Sequence, residues 1–179
     1  MELSEIKKTM RTSRFVKMVA RYQFLIANLH TVDISGHADF QRTYNCFFQL
    51  RRNVEYRKRH FDFMQKHKAN TSITFGEVLE FLSSIAGTVE ASFASKMLSI
   101  IDPEMPVLDS KVLQKLGLKK RTGCDQAEAV RIYDRICDWY SGFMGTKECA
   151  EWIDLFNRHF PNSGISNVKK IDFVLWQMD

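Results

Sequence analysis

Proline and glycine are scarce in this chain: three prolines and eight glycines in 179 residues. Few positions force a turn, so long helices are permitted. No stretch of useful length alternates strictly between apolar and polar residues, which removes the signature of a half-buried strand. There is no repeat at a fixed period and no low-complexity tract. The four cysteines, Cys46, Cys124, Cys137 and Cys149, form no C-x-x-C pair, and none clusters with histidine at zinc spacing. They read as reduced thiols on helix faces, and no metal site is expected. The five histidines are scattered; His60 and His67, seven apart, read as partly exposed surface residues without a third ligand. Signatures of nucleotide binding and hydrolysis are missing as well: no G-x-G-x-x-G after a strand, no P-loop, no H-E-x-x-H and no G-x-S-x-G. No cofactor is expected. The N-terminal MELSEIKKTMRTSRF lacks the apolar region of a signal peptide, and the apolar runs fall far short of the ~20 residues of a membrane span. A cytoplasmic protein with no membrane partner is the expectation.

What is present points to a folded, basic, helical chain. The sequence is 45% hydrophobic and 26% charged, ordinary for a globular protein. The net charge is +5 and the pI near 9, which favours anionic partners, nucleic acid first. Apolar residues recur at three and four along almost the whole length. Phe15, Met18, Val19, Tyr22, Leu25, Ile26 and Leu29 mark one helix. Phe40 to Met64 marks a second pattern, continuous or broken near Asn53. Its stripe includes Val54 and, anomalously, Arg57, which can snorkel or pair with Glu77 or Glu80. The opposite face is assigned Arg51, Arg52, Lys58 and Arg59. Two readings stand for it: a solvated helix face, or a patch facing phosphates.

Punctuation is clearest further on. Thr74 and Glu77 form a capping box, with Ile73 and Val78 at the staple positions. Gly87 suits a left-handed C′ position. A helix with a small-residue face, Ser92, Ser95 and Ser99, follows and stops at Asp102-Pro103. The proline-bounded loop PEMPVL leads to Asp109, an N-cap candidate, and to a short helix closed by Gly117. A basic loop holds Lys119, Lys120 and Arg121. Asp125 with Glu128, Thr146 and Ser166 start three further helices, the first ended by Gly142 and Gly145. Trp139, Trp152 and Trp176 fall inside amphipathic patterns and read as core. The chain therefore reads as all-α with eight or nine helices. It is either one compact domain over 1–179, or two lobes: about 37–117, holding Asp109, and 1–36 with 118–179.

The segment from Gly87 to Leu118 carries a resemblance. Its order is helix, glycine turn, helix, then P-V-x-D-S-x-V-x-x-x-L-G-L, matched by Pro106, Val107, Asp109, Val112, Leu116, Gly117 and Leu118 with Leu108 as an inserted residue. This resembles the helix-hairpin-helix (HhH-GPD) DNA glycosylase superfamily, closest to a bacterial group with ASFASK and PVxDS segments. The match covers roughly 30 residues.

The resemblance implies a glycosylase-like fold with a degenerate hairpin. It also implies duplex DNA as partner, contacted by Gly87 and Thr88 of the turn, and a role in base excision repair. Asp109 would be the catalytic carboxylate of a monofunctional N-glycosylase. Lys119, Lys120, Arg121, Arg51 and Arg52 are the cations assigned to DNA. Two departures stand out. Val89 occupies the second glycine position of the hairpin, and Val89-Glu90-Ala91-Ser92 has no lysine where strand-cutting members carry one. Lys96 is the nearest lysine, a weak catalytic candidate whose other reading is a helix-flank cation.

The chemistry of Asp109 can be argued without the family. Breaking an N-glycosidic bond builds positive charge on the sugar, which a nearby carboxylate stabilises. A helix N-terminus keeps that carboxylate ionised. An ordinary cap worth about 1 kcal/mol is the alternative. A non-catalytic nucleic-acid-binding protein and a protein-interaction module are the alternatives for the whole chain.

Overall fold

The computed structural model describes residues 2–108, 110–118 and 125–177, the side chain of Lys115 excepted. These residues form ten helices and no strand: α1 (Leu3–Met10), α2 (Ser13–Leu29), α3 (Ala38–Phe48), α4 (Val54–His67), α5 (Phe75–Ala86), α6 (Ala91–Ile101), α7 (Ser110–Lys115), α8 (Gln126–Met144), α9 (Lys147–His159) and α10 (Asn167–Gln177). The all-α expectation holds. Local chemistry sets most boundaries. The Thr74–Glu77 capping box forms in full, with Thr74 Oγ1 accepting from the Glu77 amide at 3.2 Å and Glu77 Oε2 accepting from the Thr74 amide at 2.7 Å. Thr146 and Asp125 accept from the amides three residues on. Glu128 does not complete a box; its carboxylate binds Arg131. Gly87 and Gly117 take φ of 69° and 66°, left-handed values that a Cβ disfavours.

Three elements differ from the sequence pattern. Helix α1 was not foreseen, because only Ile6 and Met10 are apolar and inward; one i, i+4 pair is too little signal. The pattern from 40 to 64 is two helices. Gln49 at φ 55° ends α3, and Asn53 caps α4 by accepting from the Tyr56 amide at 2.8 Å. Arg51 and Arg52 therefore lie in the connection, not on a helix face shared with Lys58 and Arg59. The inward stripe of α4 is Tyr56, His60, Phe61 and Met64, while Val54 is 74% exposed. Arg57 pairs with neither Glu77, which serves the capping box, nor Glu80, which is exposed. The third is α8, which runs through Gly142 and stops only at Gly145.

His60 is also corrected: it is fully buried, not a surface residue. Its Nε2 meets the Tyr44 hydroxyl at 3.1 Å, and its Nδ1 has no partner among the described residues. Burial pushes its pKa down to about 3, so the ring is neutral.

One apolar cluster runs from Ile6 on α1 to Trp176 on α10 and draws on all ten helices. Its axis is α10, buried at every residue from Val168 to Trp176 and packed against α1, α7 and α9. A helix buried all round is ordinarily apolar throughout. This one carries Lys169 and Asp172, paired at 2.5 Å with 1% and 0% of their side chains exposed. Burial raises the Asp172 carboxyl above the usual range and lowers the Lys169 ammonium, and their mutual attraction opposes both shifts. No helix among the described residues is long and apolar enough to cross a membrane.

Candidate functional site

The loop ahead of Asp109 is held by side chains from three helices. Pro103 ends α6, and the Ser166 hydroxyl donates to its carbonyl at 2.6 Å. Tyr133 of α8 donates to the Pro106 carbonyl at 3.0 Å. The Val107 amide donates to Asp172, whose other partners are Lys169 and the Tyr140 hydroxyl. The Leu108 amide donates to Ser95 Oγ at 2.9 Å. Ser95 and Ser99 are wholly buried, so the small-residue face of α6 does admit a neighbouring backbone. Beyond the loop, α7 closes with the Leu118 amide reaching back to the Leu113 carbonyl at 2.8 Å across Gly117. Asp109 itself lies outside the described residues, as do Lys119, Lys120, Arg121 and Cys124.

The chain neighbours of Asp109, Leu108 and Ser110, both line an open cleft of about 530 Å3. Four aromatic residues are among its lining, Phe47 and Phe93 partly exposed and Phe48 and Trp176 buried behind them. Phe47 and Phe48 lie 5.8 and 6.3 Å, centroid to centroid, from Trp176, and Phe93 of α6 stands among the other lining residues. The Trp176 indole nitrogen is buried without an acceptor among the described residues. Trp176 is 9% exposed and belongs to the core, as its place in an amphipathic pattern implies.

The charged lining is all cationic: Arg14 and Arg21 of α2, Lys96 of α6 and Lys111 of α7. The two lysines also serve helix ends. Lys96 Nζ is 3.5 Å from the Phe48 carbonyl at the end of α3, and Lys111 Nζ is 3.1 Å from the Trp176 carbonyl at the end of α10. A cation beside a helix C-terminus is favoured by the dipole. Lys96 Nζ also lies 5.2 Å from the Phe93 ring centroid. Arg14 and Arg21 went unnoticed in the sequence. Their signal is the i, i+3, i+7 spacing of Arg14, Lys17 and Arg21, along one edge of the apolar stripe of α2.

The hairpin residues Gly87 and Thr88 are exposed, with polar groups bonded to the protein. The Gly87 amide donates to the Ser83 carbonyl at 2.9 Å, and Thr88 Oγ1 donates to Glu90 Oε1 at 3.1 Å. Glu90 is a buried carboxylate, 5% exposed, that also pairs with Arg52. Arg52 lies near both Tyr56 and Phe93, its guanidinium 5.4 and 5.7 Å from the ring centroids. The candidates Arg52, Thr88 and Gly87 thus form one cluster, joined to the cleft through Phe93. Arg51 is exposed in the α3–α4 connection.

Among the described residues no group of histidine, cysteine and carboxylate side chains can hold a metal ion. Comparison of the chain with protein-family models, curated proteins and solved structures found no match.

Proposed function

We propose that the chain is a DNA glycosylase-like protein that takes a base from a nucleic acid into the cleft and uses Asp109 in monofunctional base removal. The observation that carries this reading is the cleft itself: its described lining includes four aromatic and four cationic side chains, holds no carboxylate, and includes both chain neighbours of Asp109. A flipped base needs aromatic or apolar faces to stack on, and its flanking phosphates need cations. The loop's four side-chain anchors supply the rigidity that a positioned carboxylate requires. Glu90, rather than lysine, near the hairpin fits hydrolysis without a Schiff base.

The test uses duplexes carrying a panel of damaged or mismatched bases, with abasic product as the readout. Asp109→Asn should bind as the wild type does and release no base. Equal release by the variant removes Asp109 from the chemistry. Binding with no abasic product from any duplex leaves a non-catalytic nucleic-acid-binding protein. No binding at low salt leaves a protein-interaction module.

A further inference from the structure

Residues 1–32 hold six lysines and arginines against Glu2 and Glu5, a net charge of +4; residues 51–68 form a second basic stretch, with seven against Glu55 and Asp62. Within the first stretch Arg14, Lys17 and Arg21 stand on one face of α2 at i, i+3 and i+7. All three are exposed. No carboxylate among the described residues pairs with them, whereas Arg42, Lys58, Arg131, Lys147 and Arg158 all have acidic neighbours on their own helices. Arg14 and Arg21 also line the cleft.

We infer that this face of α2 is the rail that holds the phosphodiester backbone of a nucleic acid whose base enters the cleft. The inference rests on the nucleic-acid reading above and adds to it where the backbone runs. At the hairpin the Gly87 amide, the Thr88 hydroxyl and Arg52 already have partners within the protein. The α2 face spans about 10.5 Å from Arg14 to Arg21 at ~1.5 Å per residue. That equals about three axial steps of one strand at ~3.4 Å each. An anionic membrane would also attract such charge. However, the apolar face of α2, with Phe15, Val19, Tyr22 and Leu25, is buried in the core and offers lipid nothing to insert.

The experiment is fluorescence anisotropy of a labelled duplex with one mismatched pair, titrated across about 50–200 mM NaCl. Wild type is compared with Arg14→Gln/Lys17→Gln/Arg21→Gln and with Lys147→Gln/Arg158→Gln, which neutralises two exposed cations of α9. All the substituted side chains are exposed, so thermal melts should coincide. The triple variant should lose at least ~10-fold in affinity, and its slope of log K against log salt should flatten by about 2–3. The α9 variant should stay within about twofold of wild type on the same scale. A triple variant that keeps the wild-type slope overturns the rail and leaves the nucleic-acid reading standing. A wild type that ignores the duplex at the lowest salt overturns that reading itself. Binding to phosphatidylserine vesicles without duplex binding, lost in the triple variant, assigns the face to a membrane and overturns the proposal.

Discussion

Replacing Arg52 with glutamine tests whether this cation serves the fold or a ligand. Glu90 keeps 4% of its side-chain surface exposed and Arg52 keeps 39%, so the two partners are not equivalent. Without Arg52 the carboxylate stays buried with only the Thr88 hydroxyl at 3.1 Å and the Tyr56 hydroxyl at 3.5 Å. Breaking a fully buried pair costs about 3–5 kcal/mol. Partial access of water through the place left by Arg52 reduces this to about 2–3 kcal/mol. For a chain of this size that lowers Tm by about 5–10 °C. Glu90→Gln leaves Arg52 able to turn to water, and should cost about 1 kcal/mol. The double variant should be more stable than Arg52→Gln alone, because no charge is stranded. Urea and thermal unfolding followed by circular dichroism give all three values. Arg52→Gln within about 0.5 kcal/mol of wild type, or Glu90→Gln the more damaging of the two, would refute the reasoning. A folded Arg52→Gln protein whose salt slope for duplex binding drops by about 1 would return Arg52 to the ligand.

Two further outcomes follow from buried polar groups. The His60 pKa falls from 6.5 to about 3 on folding, so below pH 6.5 the unfolded chain binds the proton first and stability drops with pH. Between pH 7.5 and 5 the wild type should lose about 2 kcal/mol more than His60→Gln, and equal losses would contradict it. Ser95→Ala strands the buried Leu108 amide; it should cost about 1–3 kcal/mol and speed hydrogen exchange at that amide, whereas unchanged exchange would remove Ser95 as an anchor.

Elements written in local chemistry were legible. Thr74, Asp125 and Thr146 cap within three residues of themselves, and Gly87 and Gly117 close helices by φ alone, so no knowledge of the rest of the chain is needed. Pairings between distant residues were not legible. Arg52 and Glu90 stand 38 positions apart, and either alone reads as an exposed charge. Lys169 and Asp172 look like one turn of a polar helix face until α1, α7 and α9 close around them. The cleft draws on α2, α3, α6, α7 and α10, and no local pattern marks its wall. A motif marks the neighbourhood of Asp109; Lys119, Lys120 and Arg121 lie outside the described residues, and Arg51 and Arg52 stand in the α3–α4 connection. Arg14 and Arg21 face the cleft because α2 packs beside α3, which is a tertiary fact.

The placement of α10 sets the order in which this protein can be completed. A ribosome delivers residues 3–159 before 167–177, yet the apolar stripes of the earlier helices converge on a helix not yet made. Tyr22 waits for Phe173, whose ring stands 5.2 Å away, and Met18 for Gln177, 159 positions on. Contacts of that separation are slow to form. Until they do, the nascent chain exposes the faces that α10 will cover. The buried Lys169–Asp172 pair then has a second consequence: it makes α10 less sticky than an all-apolar helix while it is still in water.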